Sequence, residues 1–371
     1  MKIPPSDYSL ETFLQYLAEN TQELFAPKER KWLKVYLIFV QSDWLKLFEK
    51  LEPERLGEIT HLTMALDSPV SIDFYVYERA PGLLMFFTSS TEDDYEKSLK
   101  RFIDSTRGIT EMWISPDRIE EAKAHILSRY SGRIYRFIGR RTTITATPVE
   151  VRPEFKRRVS YSGADAGETL KEMENAYGIL PISIDFAVGQ DSVKLTNDGL
   201  FVLRTINEKS LQIMLDVVHI ILGEQRSLQS VTQSVSAKTE IVRIGERNFK
   251  VPEIVAARIR LGTQKLDAVM VERLFGQREQ IFEDESATSQ VSQESEFSFV
   301  DTTVMEGSLQ FSGTVVDEFK GTVFGLSGGE NEILLIPKHY TTFESFVRFF
   351  RMVVEDIDKD AKLSLLSEQL A

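Results

Sequence analysis

The chain has 371 residues, of which 42% are apolar and 27% charged, and its formal net charge is −13. This length suits two or three domains with separate cores, and the composition is that of a soluble globular protein. The absence of cysteine excludes disulfides, thiol catalysis and cysteine-ligated zinc. The longest apolar run, 35–40, is too short to span a membrane, and the start has no apolar signal segment. We therefore predict a cytoplasmic protein without membrane contact.

The first third of the chain alternates helical and strand patterns. Residues 8–24 carry apolar side chains at i, i+3, i+4 and i+7, which predicts an amphipathic helix. The bulky apolar segment 31–40 predicts a strand, and Asp43 can cap the helix that follows. Segments 71–77 and 83–88 predict a hairpin that leads into a helix ending at Gly108.

Two tetrapeptides recur at one fixed offset. Residues 71–74 read Ser-Ile-Asp-Phe and recur at 183–186, while Glu-Lys-Ser-Leu at 96–99 recurs at 208–211. Eleven of the 34 positions from 71 to 104 match residues 112 further on, whereas unrelated chains match at about one position in fifteen. We therefore predict an α+β fold with internally duplicated units at about 71–107 and 183–222. Each unit would be a strand hairpin followed by a helix.

The rest of the chain continues this mixture. Apolar spacing predicts helices over 116–130, 165–177, 252–275 and 342–357, and a short amphipathic tail over 362–370. Strand patterns fall at 109–114, 133–162, 297–304, 308–316, 320–326 and 332–337. Bulky apolar residues, several of them phenylalanine, line one face of the helix predicted over 342–357. Few β-α-β alternations occur, which favours α+β over a doubly wound parallel sheet.

We divide the chain into five segments from these patterns. They are residues 1–110 (N-terminal helices and first α+β unit), 111–225 (basic strand region and second unit), 226–276 (mixed connector), 277–296 (acidic flexible linker or loop) and 297–371 (β-rich segment with the aromatic-faced helix). The fourth segment is rich in Ser, Gln and Glu, so it has little to bury.

The strongest charge asymmetry lies between residues 129 and 158. This stretch holds nine Lys or Arg against two acids, a local balance of +7 in a chain of −13. Arginine binds phosphate through paired N–H donors, and interleaved tyrosines and phenylalanines can stack on bases. The candidate nucleic-acid-binding residues are Arg133, Arg136, Arg140, Arg141, Arg152, Lys156, Arg157 and Arg158. The competing interpretation is a set of strands whose arginines pair with acids elsewhere.

The repeated aspartates, Asp73 and Asp185, could meet at a pseudo-twofold axis as a catalytic carboxylate pair. Alternation along a strand places each of them opposite its neighbouring Ile and Phe. Because those apolar neighbours belong in the core, we expect both aspartates to face solvent and to have a structural role.

Other motifs give little chemistry. The chain has no G-x-x-x-x-G-K-[ST], G-x-G-x-x-G or G-x-S-x-G sequence, and no two of its four histidines lie within five residues of each other. Asp117, Glu154 and Lys156 mimic the P-D…E-x-K pattern of nucleases that bind Mg²⁺. This pattern is short, and Asp117 also fits a helix N-terminus. We predict no metal and no cofactor.

The sequence therefore favours a non-catalytic intracellular binding or scaffold protein that acts through protein–protein contacts. The lack of a catalytic motif favours a non-enzymatic role without deciding the question. One alternative is nucleic-acid binding through the basic stretch 129–158, and a second is a metal-dependent nuclease. A protein partner is expected, and homo-oligomerisation is left open.

Overall fold

A computed structural model describes residues 1–29, 31–41, 43–66, 71–141, 158–244, 247–275, 296–305, 307–338 and 341–366. The chain divides into two compact units, unit 1 (residues 1–142 and 146–227) and unit 2 (residues 143–145 and 228–371). Both units combine helices with antiparallel strands, which confirms the predicted α+β class. Among the described residues, no helix has the length and apolarity needed to cross a membrane. The finer five-segment division stays a prediction.

Unit 1 is built on one large sheet. Its strands are β1 (Leu33–Val40), β2 (Glu54–Leu56), β3 (Ile59–Ala65), β4 (Ser71–Ala80), β5 (Leu83–Thr88), β6 (Ile109–Glu111), β7 (Arg133–Arg141), β8 (Arg158–Ser162), β9 (Ile179–Val188), β10 (Asp191–Thr196) and β11 (Leu200–Leu203). Its helices are α1 (Leu10–Glu19), α2 (Thr21–Leu24), α3 (Trp44–Leu47), α4 (Glu92–Tyr95), α5 (Arg101–Ser105), α6 (Pro116–Arg129), α7 (Ala166–Tyr177) and α8 (Glu208–Ser234), of which residues 228–234 belong to unit 2. A π-helical turn, Glu96–Lys100, joins α4 to α5.

The strands of this sheet follow the order β2-β3-β4-β5-β1-β11-β10-β9-β7-β8, and β6 also pairs with β1. We call the side that carries Tyr36 the first face. There, side chains of β1 and β3–β5 such as Phe74 and Phe86 form a core with Phe48, Tyr95 and neighbouring residues of the segment from α3 to α5. These helices therefore cover one half of the first face.

The opposite side, the second face, packs against other helices. Phe13 of α1 lies 5.8 Å from Tyr75 and 5.3 Å from Phe87, measured between ring centroids. The helix α7 packs on β7, where Gly167 lies against Ile134. Because both faces near the sheet centre are packed, all eight residues of β1 are buried.

Unit 2 contains a second sheet and a separate hairpin. Its strands are β12 (Ser236–Ile244), β13 (Arg247–Val255), β14 (Ala257–Arg260), β15 (Phe297–Met305), β16 (Gln310–Asp317), β17 (Thr322–Gly329), β18 (Glu332–Pro337) and β19 (Lys362–Leu365), and its helices are α9 (Ala268–Phe275) and α10 (Phe343–Asp356). The sheet order is β15-β16-β17-β18-β14-β19, and β12 pairs with β13. Phe324 of β17 lies 5.1 Å from Phe346 and 5.4 Å from Phe349. The aromatic face of α10 is therefore core of unit 2 rather than a free surface.

One predicted element is wrong. The helix predicted over 252–275 is instead the end of β13, β14 and the short α9. Residues 257–259 of β14 are all buried, because this strand pairs with β18 on one side and with β19 on the other. Pairing with distant strands therefore overrides the helical spacing. The amphipathic tail, for which no helix or strand was predicted, begins with β19, where Ser364 pairs with Arg258 of β14 over more than a hundred residues. Residues 367–370 of this tail lie outside the described residues. Such long-range pairing leaves no local signal.

Candidate functional site

The two repeated aspartates lie on opposite faces of the unit 1 sheet. Asp73 in β4 faces the second face, where its Oδ1 lies 3.0 Å from His61 Nε2. Asp185 in β9 faces the first face and is only 2% exposed, so the expectation that it faces solvent is wrong. β4 and β9 are five strand steps apart, about 24 Å. The two carboxylates therefore do not form a catalytic pair, and the duplication stays a hypothesis.

Asp185 is the centre of a polar network. Its Oδ1 accepts a hydrogen bond from Arg204 Nη2 at 2.8 Å and one from the Tyr135 hydroxyl at 3.3 Å. Ser192 Oγ lies 2.8 Å from that hydroxyl and accepts from Arg204 Nη1 at 3.1 Å. Tyr135 reaches this face because it is the extra residue of a β-bulge in β7. The buried charge of Asp185 is thus paired and hydrogen-bonded.

Two aromatic rings flank the guanidinium of this network. Arg204 Cζ lies 5.3 Å from the ring centroid of Trp32 and 5.9 Å from that of Tyr135. Both rings are half-buried, and Trp32 also packs against the core of the first face. We call Trp32, Arg204 and Tyr135 the aromatic–arginine stack. Its members come from three strand regions that are distant in sequence.

The register of the strands places cations beside this network. One row of directly opposed residues crosses six strands and consists of Lys34, Val202, Lys194, Asp185, Arg136 and Ser162. Opposed residues in paired strands share a face. The ammonium groups of this row, together with Arg136, therefore lie on the first face, on either side of the neutralised Asp185.

Lys34 is less accessible from solvent than the other cations of this row. It is 5% exposed, and burial lowers its pKa to about 8, although the nearby Glu92 and Asp94 oppose that shift. Its Nζ donates to the backbone carbonyl of Ser90. The accessible positive charge therefore lies further along the sheet, on β7 and β8.

Four arginines continue the first face at β7 and β8, and we call Arg133, Arg136, Arg140 and Arg158 the arginine line. Arg136 is opposite Asp185 and Ser162, and Arg140 is opposite Arg158. Arg133 and Arg140 are seven residue steps apart, a span of about 23 Å along a strand. Exposed serines, Ser160 and Ser162, lie between them on β8.

Within the part of the chain that the structure describes, Arg133, Arg136 and Arg158 are exposed and form no ion pair. The chain has 57 acidic residues, so structural arginines could readily have found partners. Directly opposed like charges, such as Arg140 and Arg158, also destabilise a sheet. Among the described residues, these three arginines therefore have no internal ion pair of the kind that the competing interpretation predicts.

The remaining predicted residues give a mixed result. Arg141 ends β7, whereas Arg152, Lys156, Arg157 and the carboxylate of Glu154 lie outside the described residues. Asp117 is exposed in the first turn of α6, directly after Pro116, as its helix-start pattern predicted. The described residues contain no group of three or more acidic or histidine side chains placed to hold a metal ion.

Two histidines lie in carboxylate clusters with a structural character. His61 has Asp73 at Nε2 and Glu54 at Nδ1, 3.0 and 3.4 Å away. His125 Nε2 lies 3.2 Å from Asp216, whose carboxylate also accepts from the Tyr130 hydroxyl at 2.7 Å. This second cluster ties α6 to α8. The contacts of His61 with Glu54 and Asp73 join β2, β3 and β4.

Trp32, Lys194 and Arg204 are the site residues that sequence reasoning missed. They lie in ordinary strand patterns, and only the pairing of β1, β11, β10 and β9 brings them to the arginine line. The signal that could have suggested them is weak, since Lys194 and Arg204 are charged residues within otherwise apolar strand segments.

Comparison with known proteins gives similarity without an activity. The AF_0896_M family middle domain model matches residues 117–194. An uncharacterized protein of Archaeoglobus fulgidus is 23% identical over 286 residues, which cover 76% of this chain and 74% of the relative. No solved structure matches the chain. The family match runs from α6 to β10 and so contains the arginine line, Tyr135 and Asp185.

Proposed function

We propose that this protein binds single-stranded nucleic acid through the arginine line on the first face of unit 1. The observation that carries the proposal is the group of exposed arginines, Arg133, Arg136 and Arg158, which lack carboxylate partners among the described residues of a chain with net charge −13. The rest of the acidic surface repels polyanions. Binding would therefore be confined to this face.

The shape of the surface favours a single strand over a duplex. Reading a duplex groove requires a protruding helix or ribbon, whereas single strands are bound on sheets that combine positive charge with aromatic rings. The arginine line is about 23 Å long on a strand and suits several consecutive phosphates. Each guanidinium can bind a phosphate with two parallel N–H bonds.

The test is binding of labelled single-stranded DNA and RNA of about 12 nucleotides, with a duplex of equal length, across about 50 to 200 mM salt. The variant R133A/R136A/R158A removes three charges from the arginine line. Its matched control, R55A/R101A/R107A, removes three equally exposed arginines elsewhere in unit 1. The net charge changes equally in both variants, so only the location differs.

We expect the arginine-line variant to bind about 100-fold more weakly at low salt, because three solvent-exposed ionic contacts of up to about 1 kcal/mol each would be lost. The slope of log K against log salt should become shallower by about 2, since three single-strand phosphate contacts are lost. The control variant should bind like the wild type. Equal losses in both variants, or no binding by the wild type at the lowest salt, would refute the proposal.

The protein-binding and scaffold function favoured by the sequence remains the competing proposal. A cytoplasmic location is also proposed, and it fits either function. A partner protein with an acidic surface would use the same arginines. If nucleic acid does not bind, native co-purification with the wild type and with R133A/R136A/R158A tests that partner directly. A nuclease function has no support from the described residues, because Glu154 and Lys156 lie outside them.

A further inference from the structure

We infer that the aromatic–arginine stack of Trp32, Arg204 and Tyr135 is a nucleobase-stacking subsite beside the arginine line. This inference rests on the proposed function and names the part of the ligand that the arginines do not contact. The arginines would hold phosphates, and the stack would hold a planar base. No sequence motif assigns such a subsite.

The geometry places base and phosphate sites at a suitable separation. Tyr135 lies in β7 between Arg133 and Arg136, so its ring is directly beside two phosphate-binding side chains. The guanidinium of Arg204 lies 5.3 Å from the ring centroid of Trp32 and 5.9 Å from that of Tyr135, so both rings lie close to the same cation. A strand whose phosphates follow β7 would therefore direct its bases inward, across β9 and β10, toward this stack.

The stack is held in place before any ligand binds. Asp185, nearly fully buried, accepts hydrogen bonds from Arg204 at 2.8 Å and from the Tyr135 hydroxyl at 3.3 Å. The side chain of Asp185 is thus a positioning group that fixes the guanidinium and one ring. Since both rings are half-buried, part of each aromatic surface stays accessible to a ligand. Fixed rings lose little conformational entropy on binding, which favours stacking.

Charge separates this subsite from the arginine line. Asp185 neutralises Arg204, so a base bound there should add affinity that depends little on salt. Phosphate contacts on the arginine line, in contrast, release counterions and weaken steeply with salt. The two contributions can therefore be measured separately on one protein.

The experiment compares a single-stranded oligonucleotide with an abasic sugar–phosphate oligomer of the same length. The wild type should bind the oligonucleotide about 5- to 150-fold more tightly at every salt concentration, the range measured for stacking one base on an aromatic side chain. Tyr135→Leu should lose most of this ratio, whereas Tyr135→Phe, which keeps the ring, should retain it. Trp32→Leu is a second, independent variant on another strand.

Tryptophan fluorescence of the wild type gives a readout that needs no variant. Trp44 and Trp113 are buried, so Trp32 is the tryptophan most open to a ligand. The oligonucleotide should change the emission of Trp32, and the abasic oligomer should leave it unchanged.

Failure of this inference differs from failure of the proposed function. Equal wild-type affinity for both oligomers would overturn the stacking subsite and leave the arginine line intact. Absence of binding by both oligomers would overturn both. If Tyr135→Phe loses as much of the ratio as Tyr135→Leu, the hydroxyl network rather than the ring is responsible, and the subsite is wrong as stated.

Discussion

Replacing Arg204 with Met should destabilise unit 1 through the carboxylate that it leaves behind. Asp185 is 2% exposed, and without the guanidinium it would retain only the Tyr135 hydroxyl among its described partners. Removal of one member of a buried ion pair costs about 3 to 5 kcal/mol. Because the Arg204 side chain is 28% exposed, water can partly replace it. We therefore expect a loss near the lower end, about 3 kcal/mol.

The decisive comparison is with the double variant R204M/D185N. If the cost comes from an unpaired buried charge, removing that charge should restore stability, so the double variant should be more stable than R204M alone by about 1 to 2 kcal/mol. The guanidinium also packs on two rings, and this contact is absent from both variants. Its loss therefore cancels in the comparison.

Urea unfolding followed by tryptophan fluorescence measures this effect in unit 1. The three tryptophans of the chain, Trp32, Trp44 and Trp113, all lie in that unit. The matched control is Arg129→Met, because Arg129 pairs with Asp216 at 3.1 Å but is 60% exposed. Exposed pairs contribute less than about 1 kcal/mol. A loss in R204M no larger than in R129M, or a double variant as unstable as R204M, would refute the reasoning.

Three further predictions concern stability. Burial raises the pKa of Glu174 to about 7, so folding favours its protonated form and stability falls as pH rises toward that value. Urea unfolding should show that E174Q is about 1 kcal/mol more stable than the wild type at pH 8 and equally stable near pH 4. Burial alone would raise the pKa of Asp358. Hydrogen bonds from the backbone N–H groups of 262–264 outweigh this effect, and the net result is a lowered pKa. The stability that Asp358 contributes is therefore present above its pKa in the unfolded chain and is lost as pH falls through its lower pKa in the folded protein. D358N should lower the stability of unit 2 by about 2 kcal/mol at pH 7 and make that stability less dependent on pH in the acid range, as measured by far-ultraviolet circular dichroism. Gly199 has φ +80°, and a Cβ there would lie 2.6 Å from the Met112 carbonyl oxygen. G199A should therefore lower the free energy of unfolding by more than about 1 kcal/mol. An unchanged urea midpoint would contradict this prediction.

The elements predicted best from the sequence are those whose partners are adjacent in the chain. The strands predicted at 297–304, 308–316, 320–326 and 332–337 match β15 to β18 within a few residues. Each of them pairs with the next along the chain, so turn residues and local patterns contain enough information. The helix α10 was equally clear, because its apolar face repeats at helical spacing.

The candidate site was predictable only in part, because its residues meet through strands that are distant in the chain. Clustering of basic residues along the chain identified Arg133, Arg136 and Arg158 as candidates. Whether an arginine has an acidic partner depends on which strand lies beside it, and no local pattern states that. The sequence therefore supplied the residues of the arginine line, while the register of β7 with β8 and β9 supplied their common face.

The repeated tetrapeptide also shows that local sequence does not determine which face of the sheet a strand residue occupies. Alternation within Ser-Ile-Asp-Phe correctly sets Asp apart from its Ile and Phe neighbours in both copies, but the strand pairing decides which face of the sheet receives it. In β4 that face carries His61 and Tyr75, and in β9 it carries Arg204 and Tyr135. Identical residues thus enter a structural contact in one copy and the candidate binding surface in the other. A role inferred for Asp185 does not transfer to Asp73, because the surrounding strands, and not the motif, determine the chemistry available to each carboxylate.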